Sequence, residues 1–148
     1  STFNTGNYTI ESWIYRSDSG TQRAIVDTRG AATVGLLFYI TSNNKLNVFD
    51  SSTVYITSTN TVPSGQWVHV AVTRNSGTTR LFINGNVEAT VSNDTRNNVT
   101  GAAGLYVGRQ FGSTSNDFIG YMQDLRITKG FARYTANFTP PTEALPLY

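Results

Sequence analysis

The chain has 148 residues, a formal net charge of +2 and no cysteine, with 39% hydrophobic and 14% charged residues. That length suits one domain with a sizeable core, and the missing thiols exclude disulfides, thiolate metal sites and a cysteine nucleophile. Eleven Lys and Arg against nine acids, dispersed along the chain, leave no nucleic-acid footprint, and no apolar run reaches membrane-spanning length.

Polarity comes mainly from Thr, Ser and Asn, and 13 glycines are scattered among them, which is the balance of an all-β protein with many turns. Tyr8 to Tyr15 alternates as a strand and ends at Ser17-Asp18-Ser19-Gly20. Ala24-Ile25-Val26 predicts a short strand that runs into Asp27-Thr28-Arg29-Gly30. Gly35 to Ile40 is a strongly apolar strand, turned by Ser42-Asn43-Asn44 into Leu46 to Phe49, and Thr53 to Thr57 alternates again.

Val62-Pro63-Ser64-Gly65 turns the chain into its best specified stretch, Gln66 to Gly85. Trp67, Val68, Val70, Val72 and Thr73 are aromatic or β-branched and predict a largely buried strand with Trp67 in the core. Asn75-Ser76-Gly77 supplies a turn, with Asn75 and Gly77 suited to left-handed backbone angles. Arg80 to Ile83 runs back, Asn84-Gly85 is a strong hairpin signal, and Val87 to Thr90 completes an antiparallel meander.

Beyond it, 92–101 reads as a polar loop, Leu105 to Val107 as a strand, Arg109 to Asp117 as a second loop, and Phe118 to Thr128 as the last strand. The proline-bearing tail is expected to be extended and irregular. No window carries sustained 3.6-residue apolar spacing with a cap, so no helix is expected. About ten short strands with regular turns predict a two-sheet antiparallel β-sandwich.

Hydrolysis of a glycosidic bond needs two carboxyl groups at controlled separation. Glu11, Glu88 and Glu143 each stand apart from other acids in the sequence, and one histidine with no cysteine supplies a nucleophilic triad poorly, so an enzyme is not expected. His69, between Val68 and Val70, reads as a packed histidine fixing its neighbours by hydrogen bonds. Asp124, inside the last strand, needs a partner and reads as an ion pair or a backbone acceptor. Arg29, Arg109 and Phe111 are candidate ligand-binding residues. Aromatic faces stack on the C–H faces of sugars, and arginine donates to hydroxyl or acidic groups.

Tyr8 to Tyr15, then Gln66 to Arg74, then Leu81-Phe82-Ile83-Asn84-Gly85, together with Phe118 to Ile127, resemble the laminin-G-like, concanavalin-type domains. The resemblance covers nearly the whole chain and implies a jelly roll formed by residues 1–148 as one domain, with 129–148 as a C-terminal tail. Members of that family usually carry one more edge strand upstream, and the chain opens at Ser1 without Met, so a fragment or processed product is expected. Arg126 to Thr142 is similar to the ends of such domains in bacteriophage virion proteins, which implies a tail or surface location outside the cell.

The resemblance implies a non-catalytic binding module for glycans or other proteins, sometimes with calcium at the loop rim. Asp27, Asn116 and Asp117 fall where the family often places calcium ligands. Gly108-Arg109-Gln110 puts a cation and a neutral side chain where pentraxin-like members supply acids, which argues against a two-ion site. The leading expectation is therefore a virion-surface module that binds host glycan, and the rival is a structural domain contacting only other virion subunits.

Overall fold

A computed structural model describes residues 4–30, 35–50, 52–96 and 104–143. Its strands are β1 (Tyr8–Arg16), β2 (Arg23–Asp27), β3 (Leu37–Ile40), β4 (Lys45–Phe49), β5 (Val54–Thr61), β6 (Trp67–Asn75), β7 (Thr78–Ile83), β8 (Asn86–Val91), β9 (Tyr106–Val107) and β10 (Gly120–Lys129). They form two five-stranded sheets, β10-β1-β6-β7-β8 and β5-β4-β3-β2-β9, and every strand pairing is antiparallel. No helix occurs among the described residues. The expected all-β, two-sheet sandwich is the fold. The expected loop 92–101 and tail 129–148 run partly outside the described residues.

The central meander follows from its turns. Asn84 and Gly85 both take positive φ, 49° and 79°, the backbone of a two-residue hairpin turn whose twist matches the strands. Between β6 and β7 the left-handed pair is Ser76 and Gly77, at 47° and 76°, while Asn75 pairs with Thr78 and closes β6. The expectation for Asn75 is corrected: a two-residue turn needs both central residues left-handed, and the register puts Ser76 there. The Asn7 side chain accepts from the Ser76 N–H at 2.8 Å, which holds that residue in place.

The period of two sorts each strand of the first sheet into two faces. Tyr8, Ile10 and Ile14 of β1 and Val68, Val70 and Val72 of β6 point between the sheets, against Phe38, Ile40, Leu46 and Val48 of the second sheet. Full burial of each such aliphatic side chain contributes about 1.5–3 kcal/mol, so this layer supplies most of the apolar driving force. The opposite face of β10, β1 and β6 carries aligned rows. Tyr121, Tyr15 and Trp67 form one, Gln123, Trp13 and His69 the next, and Arg126, Glu11 and Ala71 a third.

A strap of irregular chain, residues 131–143, lies over this outer face. The Arg133 N–H donates to Thr9 Oγ1 at 2.9 Å, and Thr73 Oγ1 donates to the Tyr134 carbonyl at 2.8 Å. The Phe138 N–H reaches the Gly85 carbonyl at 2.9 Å. The Tyr134 and Phe138 rings stack 3.5 Å apart and meet the edges of Phe82 and His69. Over 131–143 the chain is irregular, as expected of the tail, and it is also pinned.

Trp67 overturns an expectation. It opens β6 on the outer face and is 44% exposed. The pleat gives it the same side as His69 and Ala71, but the strap that buries His69 does not cover it.

Candidate functional site

Beneath the strap sits a buried polar cluster centred on Glu11. Its Oε1 accepts from Arg126 Nε at 2.8 Å and Nη2 at 2.7 Å, and its Oε2 accepts from the Tyr134 hydroxyl at 2.6 Å. His69 Nε2 lies 3.2 Å from Oε2. Burial alone would push the Glu11 carboxyl up; the hydrogen bonds from His69, Tyr134 and Arg126 outweigh it and hold the group below the ordinary carboxylate range. Burial and the adjoining Glu11 carboxylate push the Tyr134 hydroxyl well above its usual value. His69 is fully buried, edge-on to Trp13, Tyr134 and Phe138. This cluster locks strap to sheet, the packed role expected of His69, and it leaves no surface for a ligand.

The surface a ligand can reach begins where the strap ends. A cleft of about 340 Å³ is lined by Trp13, Trp67, Gln123, Asp124, Pro141, Thr142 and Glu143. The indole N–H of Trp13 donates to the Pro141 carbonyl at 3.1 Å, so the strap forms one wall. The aromatic floor extends outward: Tyr15 meets Trp67 and Tyr121 edge to face, each at 5.9 Å, and Tyr121 is 66% exposed.

Asp124 owes its position to a β-bulge. The pairing of β1 with β10 shifts between Glu11 and Trp13, and Asp124 sits in the shift with φ of 54°. A bulge bends the strand and re-aims a side chain, and a left-handed aspartate costs less than most residues would. Gln123 and Asp124 thus both line the cleft. Among the described residues, no hydrogen bond or ion pair reaches the carboxylates of Asp124 or Glu143. The partner expected for Asp124 is therefore not among them. Two indoles beside unengaged carboxylates and an amide supply apolar surface for a sugar ring and acceptors for its donors.

The loop rim holds the residues singled out from sequence. Asp27 is fully buried. Its Oδ1 accepts from the Arg29 backbone N–H and from Arg29 Nε, both at 2.9 Å. Its Oδ2 accepts from Arg29 Nη2 at 2.7 Å and from the Phe111 N–H at 3.0 Å. Arg29 also lies over the Phe49 ring, 5.3 Å from its centroid. Phe111 is 37% exposed and packs edge-on against Tyr106. Asp27, Arg29 and Phe111 are therefore one unit, whereas Arg109 faces Asp117, Nε to Oδ1 at 4.0 Å. Asn116 donates its amide to Gln110 Oε1 at 2.8 Å.

Calcium needs six to eight oxygen ligands. Both oxygens of Asp27 are occupied by a guanidinium and backbone N–H groups, and the Asn116 amide nitrogen points at Gln110. Asp27, as folded, is thus committed to Arg29 and the Phe111 N–H, while Asp117 Oδ1 accepts no hydrogen bond among the described residues. Among the described residues no three His, Asp or Glu side chains converge as a metal site.

Residues 1–131 match the family model of the concanavalin A-like lectin/glucanases superfamily, in its laminin G form. The chain belongs to that superfamily. Among solved structures, this superfamily member is similar to a candidate carbohydrate-binding protein of Bacteroides ovatus, with TM-score 0.72 and 22% identity over 90% of this chain and 39% of that one. Domain 4 of the extracellular GH43 arabinanase of Geobacillus stearothermophilus, solved with arabinotriose, gives TM-score 0.64 and 23% identity, covering 88% of this chain and 62% of that one. The CBM40 of the Ruminococcus gnavus IT-sialidase, solved with α2,3-sialyllactose, gives 0.65 and 14%, covering 89% and 80%. The chain thus spans well under two thirds of the Bacteroides protein's length. A search of curated protein sequences gave no significant match. At these identities the likeness concerns the fold.

The sequence points to candidate residues at the rim and does not single out the cleft. The signals were present: Trp13 and Trp67 have the outward parity of Glu11 and His69, and an aspartate interrupts the alternation of β10.

Proposed function

We propose that this superfamily member is a non-catalytic glycan-binding module whose binding surface is the cleft between Trp13 and Trp67. The observation that carries the reading is the conjunction of two indoles with the unengaged side chains of Gln123, Asp124 and Glu143 in one open cleft. The solved complexes of similar folds with arabinotriose and sialyllactose support a glycan as the ligand class. The rim is a secondary surface, with Arg109 and Phe111 exposed there while Arg29 is committed to Asp27.

The resemblance of Arg126 to Thr142 to virion proteins supports display on a phage surface, outside the cell, with host-surface glycan as target. One observation favours the rival role in subunit contacts. Leu105 and Val107, flanking Tyr106 at the β9 edge, are 50% and 47% exposed.

The test is a broad glycan array, probed with wild type and Trp67→Ala, with calcium and again with EDTA. Selective binding that survives EDTA and is lost in Trp67→Ala supports the cleft. Binding lost in EDTA would restore calcium at Asp27, Asn116 and Asp117. Silence from a folded sample would favour the structural role, and hydrolysis of any bound glycan would overturn the non-catalytic reading.

A further inference from the structure

Resting on the glycan reading above, we propose that the cleft selects sugars bearing a free ammonium group, that is unacetylated hexosamine residues, over acidic sugars and over their N-acetylated counterparts. The argument is the charge inventory of the lining. Asp124 and Glu143 contribute two carboxylates, and Trp13, Trp67, Gln123, Pro141 and Thr142 contribute no positive charge.

The nearest cations along β10 and the strap are already engaged. Arg126 donates to Glu11 through two nitrogens, and Arg133 Nε donates to Thr128 Oγ1 while facing Glu11 at 4.0 Å. A carboxylate sugar entering the cleft therefore meets like charge with nothing to offset it. An ammonium meets two acceptor groups and offers three donors, and the indole faces attract it as well. Acetylation of the same nitrogen removes the charge and so weakens both attractions, while leaving the ring faces available for stacking. The whole chain carries +2, so its overall field opposes a cationic ligand and any preference must arise locally.

The probes are three oligosaccharides of matched length: of glucosamine, of N-acetylglucosamine and of galacturonic acid. Binding of each to the intact chain is measured by calorimetry at slightly acidic pH, where the sugar amine is charged. The glucosamine oligomer is expected to bind about tenfold more tightly than the acetylated one, with no binding of the galacturonate. Asp124→Asn should reduce that preference while keeping the fold, because it leaves Glu143 as the single carboxylate and asparagine accepts a left-handed backbone at least as readily. Trp67→Ala should weaken both amino-sugar oligomers together.

Equal affinity for the acetylated and free-amine oligomers, both lost in Trp67→Ala, would overturn the charge selection and leave the glycan reading standing. Glucosamine binding unchanged in Trp67→Ala and Asp124→Asn would place the attraction elsewhere on the surface and overturn the inference. Failure of all three oligomers would overturn it too, and with a silent array the glycan reading falls as well.

Discussion

The Trp13 indole N–H donates to the Pro141 carbonyl across 3.1 Å, and through that bond one wall of the cleft is set by chain 128 residues away. Trp13 also meets the edge of His69 at 5.3 Å, so the same ring touches the buried lock and the open cleft. Cleft and strap therefore share Trp13.

Trp67→Ala should separate stability from binding. With the indole 44% exposed on the outer face, its removal should cost about 1 kcal/mol or less, against the 3–5 kcal/mol typical of a buried tryptophan. Thermal unfolding should shift little while glycan affinity falls at least tenfold. A loss of several kcal/mol would mean that Trp67 is packed in the core.

Gly85→Ala should dislodge the strap. A methyl group at Gly85 would lie 1.9 Å from the Phe138 carbonyl oxygen, and the glycine has φ of 79°. The left-handed alanine costs about 1–2 kcal/mol, and the backbone clash adds to it. Limited proteolysis should then cut within 131–143 far faster than in wild type. Unchanged cleavage kinetics would mean that the strap does not depend on this contact.

Glu11 predicts an acid dependence of known sign. Its carboxyl is held below the ordinary range in the folded chain, so it stabilises the fold fully above the unfolded value of about 4.3 and loses that contribution as pH falls through the lower folded value. Glu11→Gln should cost about 3 kcal/mol at neutral pH, since it leaves Arg126 short of its counter-charge. The gap between variant and wild type in urea unfolding should narrow progressively below pH ~4. A gap that stays constant down to strong acid would show that Glu11 is not ionised in the fold.

Asp27→Asn tests the rim. The substitution weakens the Arg29 pairing and one acceptor for the Phe111 N–H, at a cost of about 1–3 kcal/mol. Glycan binding at the Trp13–Trp67 cleft should be unaffected, as read by calorimetry with the same oligosaccharides. Loss of binding without unfolding would move the site to the rim.

The fold was largely readable in the sequence because strand alternation and two-residue turns are local signals. Tyr8 to Tyr15, Trp67 to Thr73 and Asn84-Gly85 announce their own conformations. Trp67 shows the limit: alternation tells which side of the sheet a residue takes, and burial depends on what covers that side. Here the cover is residues 131–143, whose docking on Gly85, Thr9 and Thr73 joins positions more than fifty apart and has no local pattern. Asp27 reads from sequence as a calcium ligand and Arg29 as a ligand-binding residue, because nothing in the chain pattern shows that the two satisfy each other. The reach of Asp124 was unreadable for a related reason, since a bulge follows from the partner strand's register.

That bulge has a consequence for how the site was assembled. Residues 121, 123, 126 and 128 share the outer face, and 122, 125 and 127 pack toward the core. Remove Asp124 and the numbering closes into an unbroken in–out alternation, with every remaining side chain on the side it already occupies. The aspartate is thus a supernumerary residue: β10 would pleat regularly as a nine-residue strand. A single-codon deletion at 124 should therefore fold, whereas the same deletion at Met122 or Ile127 would invert part of the strand. The strand tolerates an unfavourable backbone angle to carry one carboxylate that its own architecture does not require.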